Sequence, residues 1–297
     1  MRFGEYFASG RGLVTSFEVF PPKTDKAQAQ LEATLPRLVA LDPSYMTVTY
    51  GAFGTTQHRT LDVAQGIRAQ YGLDTASHLT CVGASRAELD AILDQLAAGD
   101  IENIVALRGD PPEGEESFSA VEGGFAYANE LVEHLRARGD FGIAVAGYPE
   151  KHIEAPDLAT DLGYLKQKVD AGADIVVTQL FYDNRDFIEF EAKARALRVT
   201  VPIVPGLLPI QSFKQILRIT ALCGARVPEK LHAEMEAAGD DTNQVREIGV
   251  RWCIEQCRGL IEHGVPGIHF YVLNRALPME RIVGELRASG HLPASKR

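Results

Sequence analysis

The sequence is short of the features that send a chain to a membrane, a nucleic acid or an oxidising compartment. No apolar run approaches the roughly 18 residues of a membrane span. The opening MRFGEYFASGRG has no apolar stretch of the kind a secretion signal needs. Cations are the minority, 30 Lys and Arg against 40 Asp and Glu, and a net charge of −10 disfavours phosphate backbones and anionic lipid surfaces. The four cysteines, Cys81, Cys223, Cys253 and Cys257, show no metal-binding spacing. Cys253 and Cys257 lie one helical turn apart and read as core thiols in a reducing cytosol. There is no P-loop, and no G-x-G-x-x-G turn follows the first strand, because Gly10 and Gly12 precede it. These absences predict a cytoplasmic protein that binds neither nucleic acid nor membrane, and they count against an open dinucleotide-binding sheet.

What is present is an alternation of strand-like and helix-like segments from one end to the other. Strands are expected at Val14–Phe20, Tyr45–Tyr50, Thr75–Val82, Ile104–Leu107, Gly142–Tyr148, Asp174–Phe181, Pro202–Gly206 and Gly267–Leu273. Helical periodicity fills the intervals, with Pro36 interrupting Lys26–Leu41 and a capping-box spacing from Ser85 to Glu88. A short lead-in occupies residues 1–13, and a helical excursion, residues 228–263, precedes the last strand. Eight such units with no break in composition predict an α/β chain folded as a single (β/α)8 TIM barrel over residues 1–297.

In such barrels, chemistry sits where the strands end. The fourth strand runs from Ile104–Leu107 into Arg108, Gly109 and Asp110; taken alone, this is either a site or a tight turn with a chance ion pair. Other strand exits also carry polar groups: Glu18, Thr49 and Tyr50, His78 and Thr80, Tyr148 followed by Glu150 and His152, Gln179 and Asp183, then Tyr271, Asn274 and Arg275. So many on one face predict an enzyme. Glu18 lies among Phe and Val, so burial is expected to raise its pKa and suit it to general-acid work; a rim ion pair is the alternative. His78 and His152 can be metal ligands with Asp110 or, as scattered single histidines more often are, hydrogen-bonding partners of a ligand. Phe53, Tyr148, Phe181, Tyr182 and Tyr271 near the same rim suggest a large planar ligand.

The segments FEVFPPK, VTYGA, HLTC, IVALRGD, YPEKH, KVDAGAD, VTQLFYD, PGLLPI and HFYVLNRA stand in an order and spacing that resemble the bacterial methylenetetrahydrofolate reductases, from Ser16 to Arg275. The resemblance implies a (β/α)8 flavoprotein of one-carbon metabolism and methionine supply. Such an enzyme uses FAD, NADH or NADPH, and 5,10-methylenetetrahydrofolate in a ping-pong reaction. It also implies a form without the regulatory domain of the eukaryotic relatives; whether the chain forms a homo-oligomer stays open. By the same resemblance, Glu18 matches the general acid and Asp110 the carboxylate beside the pterin. Gln179, Gln215 and Arg275 match folate contacts, Gln179 being shared with the nicotinamide. Thr49, Tyr50, Ala52, His78, Arg108, Gly109, Asp110 and Ala128 match FAD-binding positions, as do Tyr148, His152, Ala155, Asp161 and Lys168. Three positions depart from the pattern: Tyr164 and Gln167 replace a frequent Asn and Arg at the ADP end of FAD, and Ile219 replaces a frequent aromatic against the second ligand. Two competing readings are kept, another flavin barrel of the proline-dehydrogenase type and a non-catalytic pterin-binding barrel.

Overall fold

The computed structural model describes residues 1–8, 12–50, 57–111, 118–139 and 141–295. Among them, eight parallel strands close into a barrel: β1 (Val14–Val19), β2 (Tyr45–Val48), β3 (Thr75–Thr80), β4 (Asn103–Leu107), β5 (Gly142–Gly147), β6 (Ile175–Leu180), β7 (Ile203–Leu207) and β8 (Gly267–Tyr271). The strands follow chain order around the ring, and β8 pairs with β1. The helices between them are α2 (Asp25–Val39), α3 (Gln57–Tyr71), α4 (Arg86–Ala98), α5 (Ala128–Arg138), α6 (Leu158–Asp170), α7 (Asn184–Ala196) and α8 (Phe213–Cys223). The excursion resolves into α9 (Glu229–Ala238) and α10 (Thr242–His263), and α11 (Ala276–Ala288) follows β8. The expected single barrel is present, and no helix among the described residues is long and apolar enough to cross a membrane.

The two faces of the strands differ in kind. Phe17, Val19, Met46, Val48, Leu79, Ile104, Ile143, Val145, Val176, Ile268 and Phe270 form one core with the apolar stripes of the helices. Burying that surface, at about 25 cal/mol per Å², is what holds the helical ring to the barrel. The alternate positions face inward, and beside Tyr45, Val105 and Ile175 many are small or polar: Ser16 and Glu18 on β1, Thr47 on β2, Ala76 and His78 on β3, Ala144 and Ala146 on β5, and His269 on β8. Large branched residues usually fill this interior. Here the small and polar set leaves a cavity instead.

Local chemistry sets the helix ends. Ser85 and Glu88 make the expected capping box, with the Glu88 carboxylate accepting from Ser85 N at 2.8 Å. Asp157 caps α6 by accepting from Thr160 N at 2.8 Å. Two expectations need correction. Pro36 does not interrupt its helix, which continues through it to Val39. The last helix, whose sequence pattern predicts a start at about Met279, begins at Ala276, since Pro278 lies in the first turn, where a missing N–H leaves no bond unmade.

The lead-in contains α1 (Phe3–Tyr6), which plugs the N-terminal end of the barrel. Phe3 and Tyr6 pack on Tyr45, each with ring centroids 5.2 Å away. Phe3 N donates to Asn103 Oδ1 at 2.7 Å, Asn103 Nδ2 donates to Met1 O at 2.8 Å, and the Tyr6 hydroxyl donates to Asp74.

Candidate active site

The opposite end of the barrel opens into a cavity of about 440 Å³ that runs from Ile219 and Leu273 at the rim down to Phe3 and Tyr45. That volume is in the range of ligand sites. Glu18 stands inside it with a side chain only 15% exposed. Its Oε2 lies 3.1 Å from His78 Nε2 and 3.3 Å from His269 Nε2, and Thr47 Oγ1 donates to it at 3.4 Å. The His78 approach is at ion-pair distance but off the line of a hydrogen bond, so that nitrogen has no hydrogen-bond partner. Burial pulls the Glu18 carboxyl up, but the two imidazoles outweigh it and hold the group at about 2. The expected upward shift is therefore reversed. The reason is tertiary: β3 and β8 bring two potential cations against a carboxylate that its own strand surrounds with Phe and Val.

Backbone geometry aims these groups. Gly109 has φ +91°, and a Cβ there would meet Val82 at 2.7 Å, so only glycine carries the chain past β3 between Arg108 and Asp110. A Cβ on Gly206 would lie 2.2 Å from Thr178 O and 2.7 Å from the Tyr271 ring. That close approach lets the Tyr271 hydroxyl donate to Thr178 O at 2.6 Å and fixes the ring as one wall. Asn274, in the left-handed region at φ 52°, accepts from Phe20 N at 3.0 Å and donates to Phe20 O at 2.9 Å, tying the exits of β8 and β1.

Beside the first cavity lies a second of about 430 Å³ between α5 and α6, sharing Leu107, Arg108, Ala146, Tyr148 and His152 with it. Ala128, at the N-terminus of α5, lines it, as do Ala155, Asp161, Tyr164, Gln167 and Lys168. Lys168 donates to Ala146 O at 2.6 Å, and burial pulls its pKa down to about 8 against the influence of Asp161. Arg108 is committed elsewhere, in a two-pronged pair with Glu154 at 2.6 and 2.7 Å. Burial also raises Tyr50, to about 12. Two linked chambers, with a helix N-terminus and a cation on a neutral carbonyl in the outer one, fit an elongated ligand bearing phosphate there.

Most of the expected site residues meet in these chambers. Glu18, Thr49, Tyr50, His78, Gly109, Asp110, Gln179 and Ile219 line the first; Arg108, Tyr148 and His152 line both. Ala52 and Phe53 lie outside the described residues. Gln215 and Arg275 are exposed and are not among the cavity walls. Phe181 and Tyr182 also leave the rim: Phe181 packs against Phe187 in the outer core, and the Tyr182 hydroxyl donates to Leu208 O. Glu150 turns away to accept from Arg226 N at 3.1 Å. No cluster of metal ligands forms among the described residues, so His78, His152 and Asp110 do not make a metal site. Sequence reading missed His269 and Thr47. Their only signal is inward register beside Glu18, since Glu18 pairs with Thr47 and Ser16 with His269.

Fold and site together define a (β/α)8 barrel with a carboxylate–imidazole cluster in its mouth and an adjoining groove for a phosphate-bearing ligand. Residues 5–287 match the family described as methylenetetrahydrofolate reductase. A 5,10-methylenetetrahydrofolate reductase of Pectobacterium carotovorum subsp. carotovorum is 38% identical over 263 residues, covering 88% of this chain and 86% of that one. The chain belongs to the methylenetetrahydrofolate reductase family. Methylenetetrahydrofolate reductase (NADH) 1 of Arabidopsis thaliana is 43% identical over 270 residues, 87% of this chain. The chain spans about half of that plant relative, 46% of its length. Among solved structures, an uncharacterised protein from Clostridium thermocellum, described as binding two copies of 5-methyl-5,6,7,8-tetrahydrofolic acid, aligns with TM-score 0.67 and 15% identity over 97% of this chain and 98% of that one, a likeness of fold.

Proposed function

We propose that this protein reduces 5,10-methylenetetrahydrofolate to 5-methyltetrahydrofolate with NADH or NADPH as donor and FAD as carrier, in the cytoplasm. The observation that carries the reading is Glu18, set between His78 and His269 inside a ligand-sized cavity. Bound FAD supplies reversible two-electron storage between a reduced nicotinamide and the folate. Lys168 and the α5 N-terminus are the groups suited to its diphosphate, and a phosphate there adds negative charge beside Lys168. Tyr148 and Tyr50 offer apolar walls that exclude water from the ring system.

Folate reduction needs a proton on N10 to open the five-membered ring to an iminium at N5. Glu18 is the group placed to deliver it, but the imidazoles hold its carboxylate ionised, so the acid is the cluster rather than the carboxyl alone. The proton passes to N10 through Glu18 from an imidazole partner. Substrate covering the mouth removes water from the carboxylate and favours its neutral form, which helps that transfer. Asp110, on the rim of the same cavity, places negative charge where it favours the cationic iminium. Gln179, whose Oε1 accepts from Leu180 N at 2.8 Å, has its amide N–H groups free to donate to a ligand oxygen.

The test is spectroscopic. Purified protein should show flavin absorbance, bleach with NADH or NADPH, and recover its colour on anaerobic addition of methylenetetrahydrofolate. Colourless protein that binds folate would indicate a pterin-binding module. A flavin that bleaches but ignores folate would indicate another flavin barrel.

A further inference from the structure

The cavity does not stop at Glu18. It continues down the barrel axis to Tyr45 and Phe3, through a layer that barrels of this kind normally fill. Its lower walls are Phe3, Tyr45, Thr47, Val105 and His269, with the Ser16 hydroxyl against His269. Among the described residues Tyr45 Oη, at its lower end, is buried with no hydrogen-bond partner; His78 Nε2 and Thr80 Oγ1, also without one, line the same cavity beside Glu18 and nearer the mouth. A chamber that keeps a buried hydroxyl without a hydrogen-bond partner is where ordered water is retained.

Strand register places a row of protic groups across this chamber. Ser16 on β1 is paired laterally with Tyr45 on β2 and with His269 on β8, so all three occupy one layer directly beneath Glu18. The Ser16 hydroxyl lies 2.8 Å from His269 Nδ1, and His269 Nε2 lies 3.3 Å from Glu18 Oε2. Tyr45 is 1% exposed, and its hydroxyl, next to the Ser16 hydroxyl, completes no hydrogen bond among the described residues.

Resting on the proposed reductase reading, we infer that the lower barrel is a water-holding proton supply for Glu18, with Ser16 and Tyr45 as positioning residues that act through His269. When Glu18 gives its proton to N10, it regains one from His269 Nε2. Nδ1 of the same ring takes one from Ser16 Oγ, and the serine takes one from chamber water ordered by the Tyr45 hydroxyl. The chamber is then one proton short until the product leaves and the mouth opens to bulk solvent, which restores it. The arrangement answers a specific difficulty, since a substrate that seals the mouth also seals out the solvent from which a proton would otherwise come.

The experiment follows the two half-reactions by rapid mixing in H2O, D2O and their mixtures, for the wild-type holoenzyme and for Ser16→Ala, Tyr45→Phe and Tyr6→Phe. Tyr6→Phe is the structural control, because its hydroxyl is tied to Asp74 outside the chamber. Re-oxidation of reduced enzyme by methylenetetrahydrofolate is expected to slow roughly tenfold in Ser16→Ala and Tyr45→Phe, a part of what a full acid contributes. The wild-type rate should depend on the deuterium fraction along a curve, reporting several protons in flight, and the curve should straighten in both variants. Reduction by the nicotinamide, which draws no proton from this row, is the internal reference and should not change. Equal folate rates and unchanged isotope curves in the two variants would overturn the inference. Should the variants fail to fold, a high-resolution structure of the wild-type holoenzyme decides: waters bridging Tyr45 Oη to the Ser16–His269 pair support it, and a dry chamber overturns it. A wild-type enzyme inert to folate defeats the reductase reading itself, whereas an active wild type with indifferent variants defeats only the proton supply.

Discussion

The two ends of this barrel are built to opposite rules. At the N-terminal end the polar groups that hold the plug are answered: Asn103 bonds both Phe3 N and Met1 O, Tyr6 bonds Asp74, and the chain's own amine lies 2.9 Å from the same carboxylate. At the C-terminal end Glu18 is crowded by two imidazoles, Lys168 rests on a neutral carbonyl, and His78 and Thr80 keep atoms without a hydrogen-bond partner. Satisfied groups hold a structure together, while unsatisfied ones store affinity for something not yet bound. The closed end should therefore answer to stability measurements and the open end to ligand measurements.

The sharpest break in that comparison is Glu18→Gln. It should leave flavin content and nicotinamide oxidation with an artificial acceptor nearly intact while folate reduction falls by about 10² to 10⁴, the usual cost of losing a general acid. Stopped-flow traces of the two half-reactions check this, and an equal fall in both would make Glu18 a structural residue.

Lys168→Met should move stability and binding in opposite directions. Flavin affinity should drop by about 1.5–3 kcal/mol, the range for a hydrogen bond to a charged group, while the flavin-free protein melts at a higher temperature because a poorly solvated cation is gone. The pH dependence has a definite sign. The folded pKa of Lys168 is about 8 against 10.5 for the free side chain, so between those values the unfolded chain binds more protons and flavin-free stability rises with pH. Melting curves of the wild type across that window should show the rise, and the variant should lack it.

Asn103→Ala addresses the closed end. It leaves the buried Phe3 N–H unanswered and should lower unfolding stability by about 1–3 kcal/mol in a denaturant titration. Flavin affinity should hold, and a change in it would show that the two ends are coupled.

The smallest effect is expected at Ile219. Leu180, Leu208 and Leu273 line the same cavity, and neither Phe181 nor Tyr182 reaches it, so that wall is aliphatic. Ile219→Phe would add an aromatic face worth about 0.5–1.5 kcal/mol to a planar ligand, and KM for NADH should fall several-fold. A raised or unchanged KM in steady-state titrations would count against that reading of Ile219.

Much of this molecule was legible in the chain itself. Strand and helix alternate because each strand must bury an outward apolar row under a helix with an apolar stripe, and that requirement writes periodicity into Val14–Val19 or Arg86–Ala98 directly. Strand ends could be read for polar groups because parallel strands all exit on one side, which is why Glu18, His78, Asp110 and Gln179 were found before they were seen to share a cavity.

What only the tertiary structure decided was the state of those groups. The sign of the Glu18 shift depends on His269, 251 residues away, and on His78 across the barrel, and electrostatics at 3 Å follows distance in space with no regard for distance along the chain. The removal of Phe181 and Tyr182 from the site, the exposure of Gln215 and Arg275, and the row Tyr45–Ser16–His269 beneath Glu18 were settled the same way. A sequence states which side chains a strand carries, but which of them meet is set by the lateral register of strands that are neighbours only once the barrel has closed.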